Sequence, residues 1–303
     1  MEISKLPLGS AVPALTDAQR AQYWRDGFVV AQGAVTAPQL KSLNRILSGW
    51  VEESRSHSEP FGLPCLDGRA RFDMGHEHSA QHPALRRVNN PSEISPEYEE
   101  VIRSSTMVDM VAALIGPDVK FHHCKINSKL SGSKTAVAFH QDFCFTPHTN
   151  YDLVTALLML DEVTPDNGAL TVIPGSHTGP LYSLYRSDDF AAKVAPELEA
   201  RFEREQVPVI GEAGSVCLMH TRLVHGSEIN RSSKPRSLYI CAYSAADAIP
   251  LSPNPLPNRH EGMPVRGCAT RFARIALDVD RLELPARPRV TSFFAIQGQR
   301  SAG

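Results

Sequence analysis

The apolar positions of this chain change period as the chain proceeds. From Leu15 to Trp50 they follow a helical rhythm broken once. Thr16 is an N-cap with Gln19 three residues on, the pattern of a capping box, and the helix it opens should carry Tyr23 and Trp24 and stop near Gly27. Phe28-Val29-Val30 reads as a short strand. Thr36 caps a second helix with Pro38 in its first turn, and Leu40, Leu43, Ile46, Leu47 and Trp50 give that helix one apolar face. Between residues 53 and 96 no period persists, and a loop of that length points to a lid or a binding element. The helical rhythm resumes from Glu99 to Ile115, and Gly116-Pro117 ends it.

A period of two then takes over. Val119 to Leu130 forms one strand or two, and Ser131-Gly132-Ser133 breaks it. Further strands are expected around His140, from Tyr151 to Leu160, from Ala169 to Ile173, and at Val207–Ile210, Ser215–His220 and Ser237–Ser244. Asn167-Gly168 between apolar runs is a hairpin signal. Residues 184–206 look like a helical insertion. Many short strands behind a helical opening predict a mainly β fold with helices packed outside, a sandwich or jelly roll. We expect a single domain over residues 1–303: a helical section (about 16–116), a β core (about 117–246) and a Pro- and Arg-rich tail (about 250–303) that folds over the mouth of the barrel or is partly disordered.

Composition narrows the class. The 303 residues carry a formal net charge of −2, which suggests no nucleic-acid partner. No apolar run reaches the roughly 18 residues of a membrane span. The opening residues lack the layout of a secretory signal. Six scattered cysteines without a Cys-x-x-Cys pair argue for free thiols in a reducing compartment. A cytoplasmic protein acting on a small molecule is the expectation; oligomeric state is not legible.

The chemistry concentrates at His140-Gln141-Asp142. On an extended chain, residues two apart face the same way, so His140 and Asp142 present an imidazole and a carboxylate to one point. That is two thirds of the 2-His-1-carboxylate set that holds non-haem Fe(II). Alone, the triplet is weak: the pair could bond to each other or face water. The third ligand must come from elsewhere, and His220 and His225 compete, each with an arginine eleven residues on (Arg231 and Arg236). Arg236 lies just before the apolar run Leu238-Tyr239-Ile240 and can point inward, whereas Arg231 sits in a polar turn, so His225 and Arg236 are favoured. Gln141 should face away from the metal on a regular strand, with the cosubstrate in reach if the strand end twists. Phe139, Phe143 and Phe145 alternate opposite the ligands and read as packing. Arg86 and Arg87 are candidates to meet an anionic group of a substrate, with solvated surface arginines the plainer reading. His76, His78 and His82 form a small cluster with nothing to fix a metal geometry.

Several motifs coincide. His140-Gln141-Asp142, Asn167-Gly168 with Leu170, Pro174-Gly175-Ser176-His177, and His225-Gly226-Ser227 with Asn230 together resemble the phytanoyl-CoA dioxygenase family of Fe(II)/2-oxoglutarate oxygenases, as does the opening Tyr23 to Val30. The resemblance covers roughly residues 16–245. It implies a double-stranded β-helix (a cupin-like jelly roll), iron held by His140, Asp142 and His225, and 2-oxoglutarate and O2 as cosubstrates. Arg236 would pair with the distal carboxylate of 2-oxoglutarate, whose geometry suits a guanidinium fork. Asn127 and Lys129 match positions near the cosubstrate, with Gln141 a further candidate, and His177 suits a structural turn. The expected reaction is hydroxylation of an unactivated C–H bond of a small, partly apolar metabolite or amino-acid derivative, releasing succinate and CO2. The carboxylate Asp142 implies oxygenation rather than halogenation. The alternative is a metal-binding β-barrel that is non-catalytic or independent of 2-oxoglutarate, such as an isomerase or sensor.

Overall fold

Both capping boxes form. In the computed structural model, which describes residues 14–285 and Gln297, Thr16 and Thr36 each accept from the backbone N–H of the glutamine three residues on, at 3.2 and 3.3 Å, and each glutamine side chain accepts from the cap N–H at 2.9 Å. They open α1 (Asp17–Asp26) and α2 (Ala37–Ser54), with strand β1 (Phe28–Ala31) between them. The region without period holds two short strands, β2 (Phe72–Met74) and β3 (Leu85–Asn89). The expected helix over 99–115 is two helices, α3 (Pro96–Ser104) and α4 (Thr106–Ile115). Ser105 between them is extended, and its hydroxyl donates to the Val101 carbonyl at 2.6 Å, one of the local bonds by which serine competes with helical backbone.

The strands that follow are β4 (Val119–Lys129), β5 (Val137–His140), β6 (Leu153–Met159), β7 (Leu170–Val172), β8 (Tyr185–Arg186) and β9 (Asp189–Phe190). After helix α5 (Pro196–Glu205) come β10 (Val207–Val209), β11 (Val216–His220), β12 (His225–Ser227), β13 (Arg236–Ala245) and β14 (Pro264–Arg266). The helical insertion thus shares its span with the β8–β9 hairpin. Asn167-Gly168 closes a 3-10 turn, Pro165–Asn167, with Gly168 at φ 80°; the turn carries the left-handed glycine but is not a two-residue hairpin.

Apart from the two-stranded β8–β9 hairpin, the strands build two antiparallel sheets. The larger runs β1-β11-β6-β13-β4-β3-β2, with β14 also on β4; the smaller runs β10-β7-β12-β5. Alternation sorts the larger sheet's side chains. Val154, Ala156 and Leu158 of β6 and Tyr239, Cys241 and Tyr243 of β13 join a core with Leu43, Leu47, Tyr98, Ile102 and Val108 of the helices. Leu157, Met159, Leu238 and Ile240 point the other way, onto Leu170 and Val172 of the smaller sheet. One face therefore packs on helices and the other on the second sheet, the two-layer arrangement that buries both faces. Buried tyrosine hydroxyls join the outer layer: Tyr239 donates to the Tyr98 carbonyl at 3.0 Å and Tyr243 to the Ile102 carbonyl at 3.2 Å.

On β4 the pairing with β13 slips between Ala242 and Tyr243, leaving His122 as an extra residue. This bulge keeps Phe121 and Cys124 on the core side although they are three apart, and it turns His123, Lys125, Asn127 and Lys129 to the space between the sheets. Of the tail, residues 250–258 return to that space: the Asn254 and Asn258 amides donate to the His122 carbonyl at 3.0 and 2.9 Å, and Pro255 and Leu256 line the cavity. The tail beyond residue 285, except Gln297, lies outside the described residues. No described helix is long and apolar enough to cross a membrane.

Candidate active site

His225 on β12 lies directly opposite His140 on β5, and their rings are 4.2 Å apart between centroids. That pairing joins residues 85 positions apart and brings His225, not His220, to the His140–Asp142 pair. Among the described residues, His140, Asp142 and His225 form one potential metal-binding group, with one ligand atom of each within 4.8 Å of the others. His220 lies elsewhere, its ring 5.1 Å from that of His177 and its Nδ1 accepting from the Arg222 N–H. Arg231 forms an exposed ion pair with Glu228.

The orientation of each ligand is fixed from behind. His140 Nδ1 is 2.8 Å from the Ala138 carbonyl and His225 Nδ1 is 2.9 Å from the Leu223 carbonyl. A carbonyl only accepts, so Nδ1 carries the proton and each Nε2 lone pair faces the site. Burial, then the neighbouring His225, holds the His140 imidazole far below its usual range, at about 3. The chain leaves the strand at Asp142 and enters a 3-10 turn. Thr155 of β6 donates to Asp142 Oδ2 at 2.6 Å, and Oδ1 faces both imidazoles, 3.7 Å from His140 Nε2 and 3.6 Å from His225 Nε2. Those separations are too long for hydrogen bonds. They suit two ligands about 2.1 Å from a common ion. Burial alone would raise the Asp142 carboxyl, but His225, His140 and Lys125 offset it, and the group stays ionised, below its ordinary range. Neutral imidazoles and a carboxylate are the protonation states a divalent ion requires. The residues fit the metal.

The three candidate ligands open onto a cavity of about 150 Å³, lined on one side by apolar residues such as Leu157, Met219 and Ile240. Arg236 begins β13 directly opposite Lys129 at the end of β4. Both are buried in the lining. The Arg236 Nε and Nη2 donate to the Gly168 carbonyl at 2.9 and 2.7 Å, which braces the guanidinium. Lys129 Nζ donates to the Ser227 hydroxyl at 2.7 Å and to the Glu228 carbonyl. Burial, then Arg236, pushes the Lys129 ammonium well below its ordinary value, and burial takes Arg236 down to about 10. Asn127 also faces the cavity, its Oδ1 accepting from Arg87 Nε at 3.1 Å. Arg86 and Arg87 line the same space, Arg86 gripping both oxygens of Asp73 at 3.1 Å.

Two expectations are corrected. Gln141 does not reach the cavity. The backbone stays extended at Gln141 just past β5, and its amide turns away from the cavity to donate to the Arg222 and Pro180 carbonyls and accept from the Tyr182 N–H, at 2.7, 3.2 and 2.9 Å. Phe145 is not opposite the ligands: alternation ends at the 3-10 turn, and its ring lines the cavity 5.3 Å from the His140 ring. Phe139 packs on Phe202, and Phe143 packs against Tyr151. His78 bonds to the backbone around α2, facing the Ser54 and His57 carbonyls and the Ala84 N–H. His177 reaches the Trp24 carbonyl at 3.2 Å, tying its turn to α1. Thr155 and Lys125 went unread in the sequence. For Lys125 a signal existed: Lys125, Asn127 and Lys129 place polar groups at every second position of a strand whose other face is apolar.

The model of the phytanoyl-CoA dioxygenase (PhyH) family matches residues 23–238. This chain is a member of the phytanoyl-CoA dioxygenase family. It is an Fe(II)- and 2-oxoglutarate-dependent dioxygenase, and its cofactors are those of the family, Fe(II), 2-oxoglutarate and O2. A probable alpha-ketoglutarate-dependent hypophosphite dioxygenase of Stutzerimonas stutzeri is 35% identical over 195 residues, 63% of this chain and 68% of that one. L-proline trans-4-hydroxylase of Streptomyces griseoviridis is 26% identical over 254 residues, 77% of this chain and 88% of that one. In fold, the chain is similar to the apo-form of EctD from S. alaskensis, with a TM-score of 0.63 at 19% identity over 87% of this chain and 90% of that one.

Proposed function

We propose that this family member holds iron through His140, Asp142 and His225, anchors 2-oxoglutarate with Arg236 and Lys129, and hydroxylates a small molecule in the adjoining cavity. In net terms, R–H + 2-oxoglutarate + O2 gives R–OH + succinate + CO2. Bound Fe(II) with its open positions would supply the O2 chemistry. The double-stranded β-helix is the reading of the two facing sheets. The observation that carries the proposal is the convergence, in one cavity, of two imidazole Nε2 atoms and Asp142 Oδ1 with the braced pair Arg236 and Lys129. Each residue has a separate task. The Ala138 and Leu223 carbonyls and the Thr155 hydroxyl aim the metal ligands. Arg236 and Lys129 meet a carboxylate end-on, and the Asn127 amide extends that wall. The apolar wall keeps water from the reacting bond. Compact substrates suit the cavity's size, and the two relatives named above act, by their names, on hypophosphite and L-proline.

The test is anaerobic titration with Fe(II) and then 2-oxoglutarate, following the weak visible metal-to-ligand charge-transfer band. The band should form in the wild type and in His220→Ala, fail in His225→Ala, and require at least about thirtyfold more 2-oxoglutarate in Arg236→Ala, the low end of the cost of truncating one partner of a buried charge pair. Fe(II) binding without the band would refute the cosubstrate assignment.

A further inference from the structure

The cavity is far more cationic than the proposed cosubstrate requires. Among the described residues, six basic side chains line it, Arg69, Arg86, Arg87, Lys125, Lys129 and Arg236, against a single carboxylate, Asp142. Asp67 takes Arg69 at 2.7 Å and Asp73 takes Arg86 from behind the lining. Lys129 and Arg236 belong to the 2-oxoglutarate end. Lys125 is left to account for; Arg87 donates to Asn127 and feels the Asp73 carboxylate.

Lys125 stands apart from Lys129 along the cavity wall. The two stand on one strand four residues apart, so their Cα atoms are separated by about 13 Å at 3.3 Å per residue. Both project into the space between the sheets, with Asn127 midway. Arg87 pairs with Asn127 across β3 and β4, midway between the two lysines, and its charge acts on Lys125. Among the described residues, the anion that acts on Lys125 is Asp142, and a divalent ion bound there would offset that charge. With iron bound, the ammonium would face a net positive centre and the Arg87 guanidinium. A half-buried cation in such surroundings costs free energy unless an anion joins it.

We propose that Lys125, with Arg87 beside it, is the receptor for an anionic group of the substrate, and that the substrate is therefore a compact oxyanion, carrying a phosphorus oxyanion or a carboxylate, oriented with its oxidisable bond toward the metal. The proposal rests on the dioxygenase reading above. It assigns to Lys125 a contact that 2-oxoglutarate does not use, and it revises the expectation of a partly apolar metabolite toward one with a charged end.

The experiment is anaerobic calorimetry on the full chain loaded with saturating Fe(II) and 2-oxoglutarate, so that the Lys129–Arg236 end is filled. Hypophosphite, methylphosphonate and propionate are the anionic probes, and propionamide is the neutral one. At least one anion should bind saturably and propionamide should not; the anion preferred separates a phosphorus oxyanion from a carboxylate. Lys125→Met should weaken that anion at least tenfold and Lys125→Arg should keep it within about threefold, while 2-oxoglutarate affinity, read from the charge-transfer band, stays within twofold of wild type in both. Equal anion binding in Lys125→Met, no response to any of the three anions, or equal binding of propionamide overturns the proposal. A wild-type protein that binds Fe(II) without the band overturns the dioxygenase reading and this proposal with it, a result distinct from a normal band with no anion response.

Discussion

Thr155→Val tests whether the metal site is aimed by the sheet opposite it. Thr155 belongs to β6 of the larger sheet, and its hydroxyl holds Oδ2 of Asp142, which follows β5 of the smaller one, at 2.6 Å. The bond is the strut that turns Oδ1 toward the two imidazoles. A hydrogen bond to a charged group contributes about 1.5–3 kcal/mol net. Partners that support metal ligands typically matter by 10- to 100-fold in affinity or activity, which is about 1.4–2.7 kcal/mol. The two magnitudes agree, so a 10- to 100-fold loss of Fe(II) affinity is expected. Valine keeps the β-branched shape that the strand accepts, so the fold should persist. Thr155→Ser keeps the hydroxyl and should stay within about threefold of wild type. The assay is anaerobic Fe(II) titration, with circular dichroism on the same samples. An Fe(II) affinity within twofold of wild type in Thr155→Val, or an equal loss in Thr155→Ser, refutes the reasoning.

Gln141→Leu should unfold more easily by about 2–4 kcal/mol, because the Arg222 and Pro180 carbonyls and the Tyr182 N–H lose a buried partner; the melting temperature should fall on the order of 5–10 °C, and an unchanged melting temperature with weakened 2-oxoglutarate binding would return this residue to the cosubstrate. The metal-free protein should lose stability as pH falls. Burial depresses His148 to about 4 and His220 to about 3, so between those values and roughly 6.5 the unfolded chain binds more protons than the folded one. Unfolding free energy should therefore be greatest above pH 6.5 and fall below it, by up to about 1.4 kcal/mol per pH unit for each histidine, levelling only below about pH 3–4; urea unfolding at pH 7.5, 6 and 5 measures it, and a flat profile refutes it.

The parts of this protein legible in the sequence are those governed by neighbours along the chain. Thr16 with Gln19 and Thr36 with Gln39 announced their helices because a capping box closes within four residues. The place of Arg236 just before the apolar run Leu238-Tyr239-Ile240 announced an inward side chain, and it lines the cavity with Leu238 and Ile240. The break at Ser105 and the turn after Gln141 were not legible, since a serine or an aspartate is compatible with either continuing or leaving a regular element. That turn is why Phe145 enters the cavity while Phe139 and Phe143 stay in their packing sites.

By itself the sequence determined the chemical inventory: an imidazole and a carboxylate two residues apart, two histidine–arginine pairs of equal spacing, and a polar stripe on one face of a strand. Only the tertiary structure decided which histidine completes the group. The β5–β12 register sets His225 against His140, and no spacing along one chain encodes a pairing between strands 85 residues apart. The same holds for Lys129 opposite Arg236 and for Thr155 behind Asp142. A single strand shows which face a side chain takes; what that face meets depends on which distant strand packs across from it.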